Sequence, residues 1–459
     1  MPLHLVGAVF LGILGAVWSS PTASAQLAVS VLALGCLLVS VGWLRALSDE
    51  ARKDLTAILL VAVAIRLAAF VAIRQSVGPY VFAPDAWSYE IVGSEIVQAW
   101  EGSRDLPLKV VGTLQVGYYY LNAVLQRLFG PAPGAPAVLN VFFGAWTTIP
   151  VYFLALSVVR GNRGTARWAA SLVAVFPSLV LWSALNIREA PTILLLVSAI
   201  SLLTRLQVRF SLPVLLGALA CVGGIMVSRS YVALLVGISV PVGFLMSRGK
   251  SWVGSLVGGL VLLCGLVAGL GLNGFGADLG AEPTLQAVEA MRRGLSLGAE
   301  TAYGAGFDVS TVGGAAEFLP VGATYFLFAP FPWELGSRLQ SIAVPEMLIW
   351  YSLVPFILRG LVLGLRNDAR SFMVLLAVIV TMSVAYALVQ GNVGTAFRHR
   401  AQLLPLTFIF AAIGLKDWHG ARVQRRSRTG LNRLRASGHL TFPSAGSSSG
   451  PGAPGTAAP

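Results

Sequence analysis

Charge is the scarcest ingredient of this 459-residue chain. Only 11% of its residues are Asp, Glu, Lys or Arg, against about 25% in an ordinary soluble domain. So few charges could not clothe a water-soluble surface of this size, which excludes a soluble enzyme or a secreted globular domain as a reading of the whole chain. Cysteine is nearly absent too. Cys36, Cys221 and Cys264 are the only three and each sits in an apolar run, so neither a disulfide framework nor a Cys-based zinc site is supported. No G-x-x-x-x-G-K-[ST] loop and no credible dinucleotide fingerprint occurs. Acids are the rarer sign, 19 against 32 bases, giving a formal net charge of +13. That excess invites a nucleic-acid reading until its location is known.

What the chain has in abundance is apolar residues, 56% of the total. They fall in blocks at about residues 3–20, 26–46, 55–74, 134–158, 166–184, 190–204, 211–227, 231–247, 252–272, 344–364, 371–389 and 401–416. Each is near the ~20 residues needed to cross a ~30 Å hydrocarbon layer as a helix. The pattern predicts an all-α polytopic membrane protein with about 12 transmembrane helices, because in the bilayer every backbone polar group must be satisfied internally. Residues 113–129 carry Gln115, Asn122, Gln126, Arg127 and the Tyr118-Tyr119-Tyr120 cluster, and Ala86 to Trp100 spaces Trp87, Ile91, Ile96 and Trp100 among polar residues. Both read as helices lying in the interface rather than spans.

Basic residues concentrate in cytoplasmic connections. Twelve spans with both termini inside place 20 of the 32 basic residues and five of the 19 acids on the inner side; counting 113–129 as a span would move the Arg160, Arg163, Arg167 cluster outside. The expected organisation is therefore two N-terminal spans in 1–54, a main module in 55–416 with long extracytoplasmic loops at 75–133 and 273–343, and a cytoplasmic tail at 417–459, basic and then rich in Ser, Gly, Pro and Ala. The first span is either retained or removed at the A-x-A-like pattern of residues 21–26. The tail reads as disordered, its arginines drawn to anionic lipid, with no nucleic-acid partner. The expected location is the plasma (inner) membrane, multi-pass.

Four outer segments hold the polar residues that could do chemistry. Asp85, in Phe82-Ala83-Pro84-Asp85-Ala86-Trp87-Ser88-Tyr89-Glu90, follows the third span. It is either a helix N-cap flanked by aromatic anchors or a carboxylate at the membrane boundary able to act as a general base. Glu189 follows Asn186-Ile187-Arg188; with Arg188 it is either an ordinary boundary pair or a second carboxylate that orients an acceptor or holds a cation. Gly391 to Arg400 ends in Arg398-His399-Arg400, cations at the outer end of a span, where an anionic partner or lipid headgroups must compensate. A guanidinium matches phosphate oxygens bidentately, and glycines let the backbone approach closely. The second long loop has a helix expected over Pro283 to Leu297 with Glu289, Arg292 and Arg293, then the Pro-broken segment Tyr325 to Glu334, read as interfacial or re-entrant: either a lid or lipid-chain groove, or an aromatic belt.

The order of these features resembles the GT-C superfamily of polyprenyl-phosphate-dependent integral membrane glycosyltransferases, which includes protein O-mannosyltransferases and bacterial aminoarabinose transferases. The likeness lies in a first outer loop opening on Asp85 and Tyr89, an interfacial helix, Gly117-Tyr118-Tyr119-Tyr120-Leu121-Asn122 running to Gly130, and the acidic turn at Glu189; it covers roughly residues 55–205, and beyond that is one of layout. It implies a GT-C-like fold and transfer of a sugar from a polyprenyl-phosphate-linked donor to a glycan, lipid or protein acceptor outside. Asp85 and Glu189 would be catalytic; Tyr89, Glu90, Arg188, Arg398, His399 and Arg400 would bind substrate. The family motif often pairs two acids, whereas Pro84 and Ala86 flank Asp85 here, with Glu90 as the nearest substitute. No metal ligand and no cofactor is assigned, a divalent cation being left open. A polysaccharide polymerase or ligase acting on a pyrophosphate-linked glycan is the nearest enzymatic alternative. A lipid or glycan transporter is the other; it predicts intramembrane charge, for which Arg66 is the one clear instance, and repeated halves.

Overall fold

The computed structural model describes residues 3–247, 257, 259–261 and 285–436, the last fourteen of these and residues 208, 338 and 339 by backbone alone. Most of the span expected at 252–272 and the end of the tail lie outside the described residues. Among those described, helix is the only regular structure apart from one bridge between Ala302 and Asn392. The chain divides into two units, Met1–Gly414 and Leu415–Pro459, and every candidate site residue lies in the first.

Helices α1 (Leu3–Trp18), α2 (Ala23–Ala46) and α3 (Asp49–Ser76) come first. Thr22 and Ser48 cap α2 and α3 by accepting from backbone N–H groups three residues on. Then follow α4 (Asp85–Trp100), α5 (Gly117–Phe129), α6 (Ala135–Trp146), α7 (Thr148–Val158), α8 (Arg163–Val175), α9 (Pro177–Ser183), α10 (Glu189–Val208), α11 (Leu212–Ser228) and α12 (Ser230–Met246). After the undescribed stretch come α13 (Leu285–Ser296), α14 (Val312–Phe328), α15 (Arg338–Val389), α16 (Val393–Arg400) and α17 (Leu404–Ala436). Asp368 breaks α15 with φ −162° and ψ 69°, separating the runs expected at 344–364 and 371–389.

Among the described residues, five helical segments are long and apolar enough to cross a membrane: Ala23–Ala46, Asp49–Ser76, Ala135–Val158, Glu189–Gln207 and Gln340–Val389. A sixth is formed if α8 and α9, bent by 55°, count as one. α1, α11, α12 and α14 are apolar but shorter. α14 is new relative to the sequence reading, which leaves residues 312–328 inside the second long loop because Glu317 and Pro320 interrupt the run. Its Phe318, Gly322 and Phe326 face is buried nonetheless, and Phe326 packs on Tyr386 of α15 at 5.3 Å. The Tyr325 to Glu334 segment is thus half helix end.

The bend at α8 and α9 explains the intramembrane arginine. Pro177 has no N–H, so the carbonyl of Val173 loses its helical donor. Arg66, fully buried in α3, supplies it: Nη2 donates to Val173 O at 3.0 Å, and Nη1 to Ala174 O at 2.7 Å and to Ala62 O at 3.2 Å. A cation there also opposes the negative C-terminal end of α8. At the start of α3 a second polar cluster ties helices together, Asp54 accepting from Tyr152 at 2.7 Å and from Arg163 at 3.0 Å.

Candidate functional site

Three chain segments meet beyond the C-terminal end of α3. Asp85 is the first residue of α4; Pro84 holds the cap position and no side chain caps the helix, so the N-cap alternative for Asp85 gives way to a tertiary contact. Glu189 opens α10, where a carboxylate is favoured by the N-terminal dipole. Arg398 lies on the last turn of α16.

Arg398 bridges the two acids. Its Nη1 and Nη2 donate to Asp85 Oδ1 and Oδ2 at 3.1 and 2.9 Å, and its Nε and Nη2 donate to Glu189 Oε1 and Oε2 at 2.5 and 2.8 Å. Burial works against this guanidinium's charge, and Glu189 with Asp85 outweighs it, so the group is held protonated beyond the ordinary arginine range. Exposure grades across the bridge: the Glu189 side chain is 0% exposed, Arg398 17% and Asp85 40%. The cluster therefore opens on the Asp85 side.

Arg229 completes the ring and is the residue that sequence reasoning missed. It occupies the junction between α11 and α12, is almost wholly buried, and donates to Glu189 and to the Tyr231 hydroxyl. The only signal it gives in sequence is a cation, followed by a tyrosine, in a break between two apolar runs. Its Nη1 also meets His399 Nε2 at 2.8 Å. An arginine can only donate, so Nε2 is the acceptor and the imidazole proton sits on Nδ1. Nδ1 lies 2.8 Å from the Gln390 amide; turning that amide over lets Nδ1–H donate to Oε1. Burial and then Arg229 drive the His399 pKa well below its usual value. His399 is thus a neutral support for Arg229, and Tyr386 stacks on its ring at 5.1 Å.

Arg188 stands beside the cluster without an ion pair among the described residues. Nη1 donates to Gln115 Oε1 and Ser228 O, each at 3.1 Å, while Nε is buried and unpartnered, as is Arg229 Nε. The turn that carries Arg188 and Glu189 is pinned by amides: Asn140 Nδ2 donates to Leu185 O and Ile187 O at 2.7 Å each, and Asn186 accepts from Tyr118 at 2.8 Å while donating to Asn122 Oδ1 at 3.0 Å. Gly117 lets α5 press on α11, since a Cβ there would lie 2.9 Å from Val227. Tyr89 packs edge-on against Tyr118 at 4.8 Å, and burial raises its phenol pKa to about 12.

Two expected binding residues stand elsewhere. Glu90 faces away from Arg398 and accepts from Tyr80 at 2.7 Å and Asn186 at 3.3 Å. Arg400 is buried and caps α14, donating to Leu327 O and Ala329 O at 2.9 Å each, with Met347 Sδ at 3.0 Å. Gly391 also has a different use from the one expected. A Cβ there would sit 2.0 Å from Ser296 Oγ and 2.8 Å from Arg292 O, so the glycine lets the turn before α16 press against α13, held by Tyr303 N donating to Gly391 O at 2.9 Å. Arg292 and Glu289 order the 304–309 loop instead of joining the cluster: Arg292 donates to Gly304 O, Phe307 O and Glu289.

Three guanidinium groups face two carboxylates with a neutral imidazole between them, so the cluster carries one uncompensated positive charge. No group of three or more His, Cys, Asp or Glu side chains among the described residues is arranged to hold a metal ion. No family model and no curated protein matches the chain.

Proposed function

We propose that the protein is a membrane glycosyltransferase, transferring a sugar from a polyprenyl-phosphate-type lipid donor to an acceptor hydroxyl on the extracytoplasmic side, in the synthesis of a cell-envelope glycan or glycoprotein. The fold on this reading is GT-C-like, with about 12 spans in the plasma membrane, both termini cytoplasmic and the Asp85 end outside, as the basic-residue bias favours. The observation that carries it is the shared guanidinium: Arg398 joins an exposed carboxylate to a buried one, with Arg188 and Arg229 supplying a surplus of positive charge beside them.

That arrangement suits an anion bearing a leaving group. The donor phosphate takes the Nη edge of Arg398 that Asp85 occupies, and Arg188 faces it without a competing acid. Asp85, released, accepts the proton of the acceptor hydroxyl as its oxygen attacks the anomeric carbon. The carbon–oxygen bond to phosphate breaks and its electron pair stays on the phosphate oxygen, where Arg398 and Arg188 stabilise the charge. Glu189, buried and bound on the other edge, keeps Arg398 and Arg229 in place. Arg398 lies between the two carboxylates, and the step is written through its guanidinium. Arg66 turns its two Nη groups to carbonyls of α8 and of its own helix, a structural use that supports the transferase reading over a transporter.

The test is Asp85→Asn, read as sugar transferred from a synthetic lipid-phosphate donor in vesicles with protein level matched. Removing a general base lowers transfer by about 10²–10⁴-fold while donor binding is kept or tightened, since a competitor for Arg398 is gone. Full transfer in both Asp85→Asn and Arg398→Ala would falsify the assignment.

A further inference from the structure

A cavity lies apart from the Arg398 cluster, on the opposite face of α4. At about 100° per residue, Trp87, Glu90, Ile91 and Ser94 share a face roughly opposite that of Asp85 and Tyr89. A cavity of about 340 Å³ opens on that face, lined by Tyr80, Trp87, Glu90, Ser94 and Gln126 and for the rest mostly by apolar side chains. Small-molecule sites begin at ~300 Å³.

The lining selects for one ligand chemistry. The Trp87 indole is 59% exposed, a broad apolar face held at a rim. Opposite it are groups that want hydroxyl partners. Glu90 is already fixed by two donors, Tyr80 at 2.7 Å and Asn186 at 3.3 Å, and a carboxylate has lone pairs for two more. Burial, with Glu90 next, raises the Tyr80 phenol pKa to about 12, so it remains a hydroxyl able to accept while it donates. Gln126 is tied to the α4 backbone through Nε2 donating to Glu90 O at 2.8 Å, which orients its amide along the wall. A hydrocarbon chain would shut the remaining lone pairs of Glu90 and the Ser94 hydroxyl away from water at a cost of roughly 1–3 kcal/mol each. An anion would meet Glu90. What remains is a neutral ligand with an apolar face and a rim of hydroxyls.

We propose that this cavity binds a neutral pyranose unit of a glycan, stacked on Trp87 and hydrogen-bonded by Glu90, Ser94 and Gln126; that this unit belongs to the acceptor rests on the glycosyltransferase reading. The cavity and the Arg398 cluster are joined by one amide, because Asn186 donates to Glu90 and sits in the turn that carries Arg188 and Glu189. A sugar that draws on Glu90 thereby bears on the turn that positions the carboxylate bridge.

The experiment uses the full chain in lipid nanodiscs, with maltotriose, mannotriose and xylotriose as pyranose probes and saturation-transfer NMR as readout. Wild type binds at least one of them with a dissociation constant on the order of 1 mM. Trp87→Ala and Glu90→Gln each weaken it about tenfold, and Trp87→Phe restores most of it. Thermal melting of each variant separates lost binding from lost fold. No binding of any probe by wild type overturns the cavity, as does binding that survives Trp87→Ala and Glu90→Gln together. Sugar binding that depends on Trp87 beside transfer that ignores Asp85 and Arg398 sinks the transferase reading and leaves the cavity standing.

Discussion

Arg398 and Arg400 are two residues apart on one short helix, both cations are withdrawn from water, and they serve opposite ends. Arg398 hydrogen-bonds two carboxylates; Arg400 hydrogen-bonds two main-chain carbonyls and a thioether, with the buried Glu346 attracting it only through space. Arg66 repeats the second pattern at the bend between α8 and α9, and Arg229 repeats the first beside Glu189. A buried arginine in a membrane protein is therefore not a mark of function by itself. One aimed at carbonyls repairs a helix end, and its loss leaves neutral acceptors unsatisfied. One aimed at acids holds charges that could otherwise rearrange around a ligand.

The comparison breaks most sharply on activity. Arg398→Lys, which keeps a cation against the buried Glu189 but cannot grip both carboxylates, should cut transfer by about 10²–10³-fold, the usual cost of one preorganised donor at a developing anion, with a melting temperature close to wild type. Arg400→Ala should do the reverse, costing roughly 1–3 kcal/mol of stability through the stranded Leu327 and Ala329 carbonyls and leaving the per-molecule rate of surviving protein near normal. A stable Arg400→Ala that cannot transfer sugar would erase the distinction.

Next in size is the bend itself. Arg66→Met should destabilise by about 1–3 kcal/mol, read by thermal melting in detergent. Pro177→Ala restores an N–H to the bent helix, so the double variant should lose less than the two single losses added. Strict additivity would mean that Arg66 is not there to serve the carbonyls that Pro177 strands.

The smallest effect concerns pH. His399 folds as a neutral imidazole with its pKa well below the ordinary value of about 6.5, so the unfolded chain binds more protons below that pH. Stability is then intact above about pH 6.5 and falls as pH drops through it. His399→Gln should flatten the decline between about pH 7.5 and 5, and an unchanged slope would mean that the ring is charged in the folded protein.

Much of this layout could be read from sequence, for definable reasons. Hydrophobic runs report on the membrane directly, and the breaks around Asp85, Glu189 and Arg398 appear as polar residues at the ends of apolar blocks. What such a pattern does not carry is partnership. Arg400 looks as available as Arg398 until α14 arrives to be capped, and α14 itself is hidden by Glu317 and Pro320. The use of Arg66 depends on an N–H that Pro177 lacks more than a hundred residues away. Arg229 lies in a junction too short to have a periodicity, so only the fold reveals that it faces Glu189. Glu90, one position from Tyr89, falls on the other side of its helix, a separation that follows from helical geometry but acquires meaning only with a cavity beside it.

The ring around Glu189 also sets a schedule for the ribosome. Its carboxylate must enter a wholly buried position, yet its two cationic neighbours are made later: Arg229 lies 40 residues downstream and Arg398 209 residues downstream. At ~5–20 residues per second, the second interval corresponds to roughly 10–40 s of translation. During that time the nascent chain holds an acid satisfied by one arginine alone, and the charge-bearing face of the protein closes only when α16 emerges. A chain stalled before α16 would carry nearly all of its apolar helices and none of its finished site, with Glu189 held by Arg229 alone for quality control to find.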